Sequence, residues 1–75
     1  MDNWKIRIQY INKYEVKVDL TEKQAKNKFL KLKENMYNKK IVWCELVYNP
    51  IDEDEIIVDS FENETVKILG CEIIV

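Results

Sequence analysis

Apolar and polar side chains alternate with a period of two in two segments near the N-terminus. The apolar members are Trp4, Ile6, Ile8 and Tyr10 in the first segment, and Tyr14, Val16, Val18 and Leu20 in the second. This spacing predicts two half-buried strands. Placing Ile8 opposite Val16 puts every apolar side chain on one face, so we expect a hairpin with a three-residue loop at 11–13.

The following segment has the spacing of an amphipathic helix. Its apolar positions fall at i, i+4, i+7 and i+11, on one stripe: Ala25, Phe29, Leu32 and Met36. Thr21 and Gln24 fit a capping box at the start of this segment. We therefore expect a helix from about Glu22 to Tyr37, with Asn38 as its C-terminal cap.

The C-terminal half predicts further strands. Residues 41–48 are apolar on both faces. This pattern is typical of a strand that is covered on both sides or that forms an interface. Residues 56–61 predict a fourth strand and 65–69 a fifth, and 71–75 continue the fifth strand or form a short sixth. The fold class is therefore α+β, with the order β-β-α-β-β-β in a single small domain spanning residues 1–75. We expect an antiparallel or mixed sheet with one helix packed on one face.

Charge is distributed unevenly along the 75 residues. Residues 1–40 carry a balance of +6 and residues 41–75 a balance of −8, which together give the formal net charge of −2. If the halves separate in space, the two ends attract opposite partners. If they interleave in one sheet, they largely neutralise each other.

The chain lacks the residues that several kinds of catalysis require. The chain has no His and one Gly, so a His base and Gly-rich phosphate loops are excluded. Cys44 and Cys71 form no metal motif, and free buried thiols are expected. An EF-hand loop starting at Asp52 fails because Ile57 occupies the position that requires Gly. We therefore expect no enzyme activity, no metal and no cofactor.

The first candidate site is a protein-binding surface. Ile41, Trp43 and Val47 share one face of the third predicted strand, where they are expected to form an exposed apolar patch. The acidic run that follows could engage a basic surface on the partner; its members are Asp52, Glu53, Asp54 and Glu55.

The second candidate site lies on the helix and could contact an anion or nucleic acid. Leu30 and Tyr37 lie off the core stripe, flanked by Lys23, Lys26 and Lys33. Nucleic acid is the less favoured partner, because the chain is acidic overall and has a single Arg. An oligomer that sequesters an anionic small molecule or nucleotide is a further alternative.

No 18-residue apolar run and no signal-type segment occurs, so we expect a cytoplasmic protein that does not contact membranes. An apolar terminal strand and a thin core favour a homodimer. The Lys-, Ile-, Asn- and Glu-rich composition resembles that of small accessory proteins of low-GC bacteria and their phages. Together these features predict a small non-enzymatic protein that acts stoichiometrically on a larger protein, as a phage-type inhibitor of a host or defence protein would.

Overall fold

The computed structural model describes residues 3–38 and 40–63 and has the expected α+β class. Four strands form one antiparallel sheet, and one helix lies against it. The elements are β1 (Trp4–Tyr10), β2 (Tyr14–Leu20), α1 (Glu22–Glu34), β3 (Ile41–Tyr48) and β4 (Ile56–Glu62). The strand order is β2-β1-β3-β4. The strands predicted at 65–69 and 71–75 lie outside the described residues.

The core lies between α1 and the two central strands. The helix contributes the apolar stripe predicted from its spacing, and the largest buried side chains beneath it come from β1 and β3. The buried cluster consists of Ile6, Ile8, Ala25, Phe29, Leu32, Ile41, Cys44, Leu46 and Phe61. Because successive strand residues point to opposite faces, the alternate residues of β1 point away from α1. We call that opposite sheet surface the outer face.

The helix begins as predicted and ends earlier than predicted. The Thr21 hydroxyl accepts a hydrogen bond from the Gln24 backbone N–H at 3.1 Å. The Gln24 side-chain oxygen accepts one from the Thr21 backbone N–H at 3.0 Å. The Asn35 backbone and side chain both donate to the Lys31 carbonyl, at 3.1 and 2.8 Å. Asn35, not Asn38, is therefore the cap, because its amide satisfies a carbonyl of the last turn.

The predicted hairpin register is wrong. Ile8 lies opposite Glu15, and Ile6 lies opposite Lys17. The Tyr10 amide donates to the Lys13 carbonyl at 2.8 Å, so the turn is tighter than the predicted three-residue loop. Val16 consequently lies on the outer face, opposite Arg7.

Two bulges interrupt the strict alternation of the strands. The β1–β2 register shifts between Trp4 and Ile6, and Asp19, in the strand opposite, has φ 58°. This shift returns Trp4 to its predicted partner, Leu20. A second shift, between Gln9 and Tyr10, reverses the face of the sheet to which the Ile41 side chain at the start of β3 points.

The capping box predicts the first stability experiment. Thr21→Ala removes the hydroxyl that accepts from the Gln24 amide, and should lower the free energy of unfolding by about 1 kcal/mol. In a domain of this size that corresponds to a fall in Tm of about 4–8 °C. Thr21→Ser keeps the acceptor and is the control in thermal unfolding followed by circular dichroism. Equal losses in the two variants would contradict a capping role.

Candidate interaction surfaces

Two aromatic rings meet on the outer face. Tyr14 in β2 and Trp43 in β3 both pair with Gln9 in β1, one from each side. Their ring centroids are 6.0 Å apart with an interplanar angle of 53°. Tyr14 is 51% exposed and Trp43 is half-buried, while the neighbouring Val16 is 41% exposed. We call Tyr14, Val16 and Trp43 the aromatic patch.

An ion-pair cluster lies beside the aromatic patch on the same face. The Arg7 guanidinium donates to Glu55 Oε1 at 2.8 Å and reaches Glu45 Oε1 at 3.5 Å. The Lys5 ammonium pairs with the other carboxylate oxygen of Glu55. Basic residues of the first half thus meet acidic residues of the second half, as the interleaved arrangement predicts.

The acidic run divides into two parts. Glu55 is held by Lys5 and Arg7, and hydrogen bonding with Lys5, followed by that with Arg7, lowers the pKa of its carboxyl below the ordinary value of 4.5. Asp52, Glu53 and Asp54 are exposed and project the remaining acidic charge into solvent. The run therefore leaves three carboxylates in solvent, while Glu55 ties the loop to the sheet.

Two members of the predicted apolar patch are not exposed, and that expectation is corrected. Ile41 is fully buried in the core beneath α1, because the bulge in β3 turns its side chain to the helix side. Val47 is also fully buried, although it pairs with Lys5 and Ile57 on the outer face. Of the three predicted residues, only Trp43 reaches the surface.

The helix candidates remain on the surface. Lys23, Lys26 and Lys33 are exposed. Leu30 is 55% exposed and Tyr37 is 63% exposed. The Lys26 ammonium lies 2.9 Å from Glu22 Oε2 and 5.6 Å from the centroid of the Trp4 ring. This pair is exposed and therefore weak, so Lys26 can exchange it for another carboxylate.

A groove between α1 and β4 was not predicted from the sequence. It has a volume of about 260 Å³ and is lined by Lys26, Phe29, Leu30, Leu46, Val58 and Asp59. The β3–β4 register shifts between Leu46 and Val47, and Val58 is the additional residue in β4. Sequence alternation cannot anticipate this bulge, which brings Val58 to the edge of the groove.

Cys44 is a free, fully buried thiol, as predicted. Burial, more than the nearby charge of Glu45, raises its pKa to about 12. A thiol that stays protonated at neutral pH is a poor nucleophile. The other cysteine, Cys71, lies outside the described residues.

Within residues 3–38 and 40–63, no group of three or more acidic or thiol side chains is arranged to hold a metal ion. In the same part of the chain, no helix is long and apolar enough to cross a membrane. Comparisons of the chain with protein-family models, curated proteins and solved structures find no significant match. The surfaces described above are therefore interpreted from their own chemistry.

The ion-pair cluster predicts a pH dependence. Since the pKa of Glu55 is lowered on folding, its carboxylate stabilises the fold above pH 4.5, and this contribution is lost as the pH falls through the folded-state pKa. Glu55→Gln should therefore destabilise the protein at pH 7 and have progressively less effect in acid. Urea unfolding midpoints measured across this range test the expectation. Glu53→Gln removes the same charge two residues away, and an identical pH profile for both variants would contradict it.

The Cys44 environment predicts slow modification. In a Cys71→Ser chain, the Cys44 thiol should react with a disulfide reagent far more slowly in the folded protein than in urea, because it is buried and protonated. The absorbance of the thiolate that the reagent releases gives the rate of this reaction. Fast reaction under native conditions would show that Cys44 is accessible.

Proposed function

We propose that the chain is a small non-enzymatic binding protein, acting in the cytoplasm, which docks stoichiometrically on a larger protein through the outer face. The observation that carries the proposal is the exposed aromatic patch on the sheet surface opposite α1. Tyrosine and tryptophan are the residues that most often anchor protein interfaces, because they bury a large area at low conformational cost.

The aromatic patch near the start of β3 and the acidic loop after its last residue together support a partner with a mixed surface. Tyr14 and Trp43 supply apolar contact, and the adjacent Val16 extends it along β2. The exposed carboxylates of Asp52, Glu53 and Asp54 supply negative charge, which would steer a basic surface of the partner toward the chain. Apolar anchors with a charged rim are the usual composition of a protein-binding site.

The centre of the outer face is held by strand pairing and by ion pairs. β1 and β3, which carry most of its residues, are the two central strands, and Arg7 links β1 to both Glu45 and Glu55. A surface already ordered before binding loses little entropy when it docks. Such a surface suits a small protein that blocks a larger one, and the version we favour is a phage-type inhibitor of a host or defence protein.

Two aromatic substitutions test the proposal. The tagged chain is used to capture partners from a low-GC bacterial lysate, and the affinity for the captured protein is measured by calorimetry. Tyr14→Ser, and separately Trp43→Ala, should weaken binding by about 30-fold, as the loss of an interface anchor does. Tyr37→Ser removes a tyrosine ring of similar exposure from the turn after α1 and should bind as the unsubstituted chain does.

A charge-reversal variant tests the contribution of the acidic loop to binding. Asp52→Lys with Asp54→Lys should lower the association rate, while Glu55 keeps its ion pairs with Lys5 and Arg7. A nuclease-treated lysate run in parallel separates partner classes, and circular dichroism shows that each variant is folded. Capture that nuclease treatment abolishes, or binding lost with Tyr37→Ser instead of Tyr14→Ser, would overturn the proposal in favour of the lysine-rich helix.

A further inference from the structure

A single helix covers only part of its side of the sheet. A helix is about 10–12 Å wide and neighbouring strands lie about 4.8 Å apart, so one helix covers roughly two strands. α1 lies over β1 and β3 and reaches the adjoining edge of β2. At the far end of β4, Phe29 and Phe61 make contact with ring centroids 5.4 Å apart. The remainder of β4 extends beyond the helix.

Apolar side chains are consequently exposed on both sides of the groove between α1 and β4. Val58 is 45% exposed and lines the groove on the strand side. Across the groove, the helix presents Leu30, which is more than half exposed. Two large apolar side chains therefore flank one groove, and each keeps about half of its surface in contact with water.

The two walls of this groove carry opposite charge. On the helix wall, Lys26 and Leu30 line the groove, and Lys33 follows Lys26 by about two turns along the same edge of α1. On the strand wall, Asp59 lines the groove. Over the full elements, α1 holds five lysines against two glutamates, whereas β4 holds two carboxylates and no basic residue.

A surface with one basic wall and one acidic wall is complementary to itself. When a second identical groove approaches about a two-fold axis that runs along the groove, each α1 faces the β4 of the other copy. Lys26 of each copy then lies against Asp59 of the other, and Leu30 packs against Val58. The apolar side chains become covered, and both charge contacts are favourable.

We propose that the groove between α1 and β4 is a self-association surface, occupied by a second copy of the chain docked about a two-fold axis. A chain of 75 residues has a thin core, and a second copy enlarges the apolar area removed from water. The groove lies on the helix side of the sheet, so the outer face stays free for the partner proposed above. The two inferences are independent of each other.

Charge reversal in two separate chains tests the proposal directly. Lys26→Glu brings two carboxylates together at both contacts of its homodimer, and Asp59→Lys brings two ammonium groups together at the same contacts. Each variant alone should dimerise about tenfold more weakly or worse, since attraction is replaced by repulsion twice. When the two variants are mixed in equal amounts, one contact of the heterodimer joins the two substituted residues and the other joins the two original ones. Both contacts again pair opposite charges, so mixing should restore dimerisation.

Sedimentation velocity of the full chain over a concentration series supplies the measurement. Lys28→Glu makes the same charge change two residues from Lys26, on the opposite flank of the helix, and should leave the dimer unchanged. An unsubstituted chain that remains monomeric at the highest attainable concentration would overturn the proposal. So would a dimer insensitive to both reversals, because another surface would then hold it.

A third outcome distinguishes contact between copies from contact within one chain. If each reversal weakens association but the mixture does not restore it, Lys26 and Asp59 act within the same molecule, and the two-fold arrangement is wrong. Restoration by mixing cannot arise from a change in folding of either variant, because each chain in the mixture carries the same substitution as before.

Discussion

The whole arrangement depends on the burial of β1 and β3 beneath one helix. Ile6 and Ile8 in β1, and Cys44 in β3, are fully removed from water under the stripe that contains Phe29. Burial of each large aliphatic side chain is worth about 1.5–3 kcal/mol, so this contact is the main source of stability in so small a core. Because the helix is narrower than the sheet, the same contact decides which surfaces remain open. The α1–β4 groove follows from covering two strands out of four, and the aromatic patch is exposed because α1 lies on the other face of the sheet.

The outer face has no second helix among the described residues, and it is held partly by charge. Glu55 joins the loop before β4 to Lys5 and Arg7 in β1, across the intervening strand β3. Exposed pairs of this kind contribute little individually, but several that share one carboxylate restrict its loop. The cluster also brings positive residues of the first half of the chain against negative residues of the second. The strongly dipolar sequence is thereby partly neutralised in the sheet, while the helix retains its excess of lysine.

Sequence periodicity predicted the elements well because each depends on local signals. The alternation in β1 and the capping box at Thr21 are satisfied by neighbouring residues, and both are present. Register and face were predicted poorly wherever the chain has a bulge or a tight turn. Val16 moved to the outer face because the hairpin turn is tighter than expected, and Ile41 moved into the core because one additional residue in β3 inverts the alternation of that strand. Such a residue leaves no periodic signal.

The candidate site shows the same division between local and long-range information. Trp43 was identified from its residue type and strand position, whereas its ring partner Tyr14 is 29 positions away and follows from the strand order. Likewise, Glu55 was grouped with its acidic neighbours because nothing in the run itself indicates that Lys5 and Arg7 lie beside it. Contacts between strands that are distant along the chain could not be derived from composition or spacing.

The position of β1 in the middle of the sheet also sets the order in which the chain can fold. The β1–β2 hairpin and α1 need only nearby residues, whereas β1 pairs with β3 across long separations, such as the 38 positions between Arg7 and Glu45. Closing that loop costs chain entropy before the hydrogen bonds between β1 and β3 contribute any stabilisation. During synthesis, β1 and β2 therefore emerge with one long strand edge unpaired until β3 follows. Over that interval, the amphipathic α1 is the element available to shield Ile6 and Ile8 from other chains.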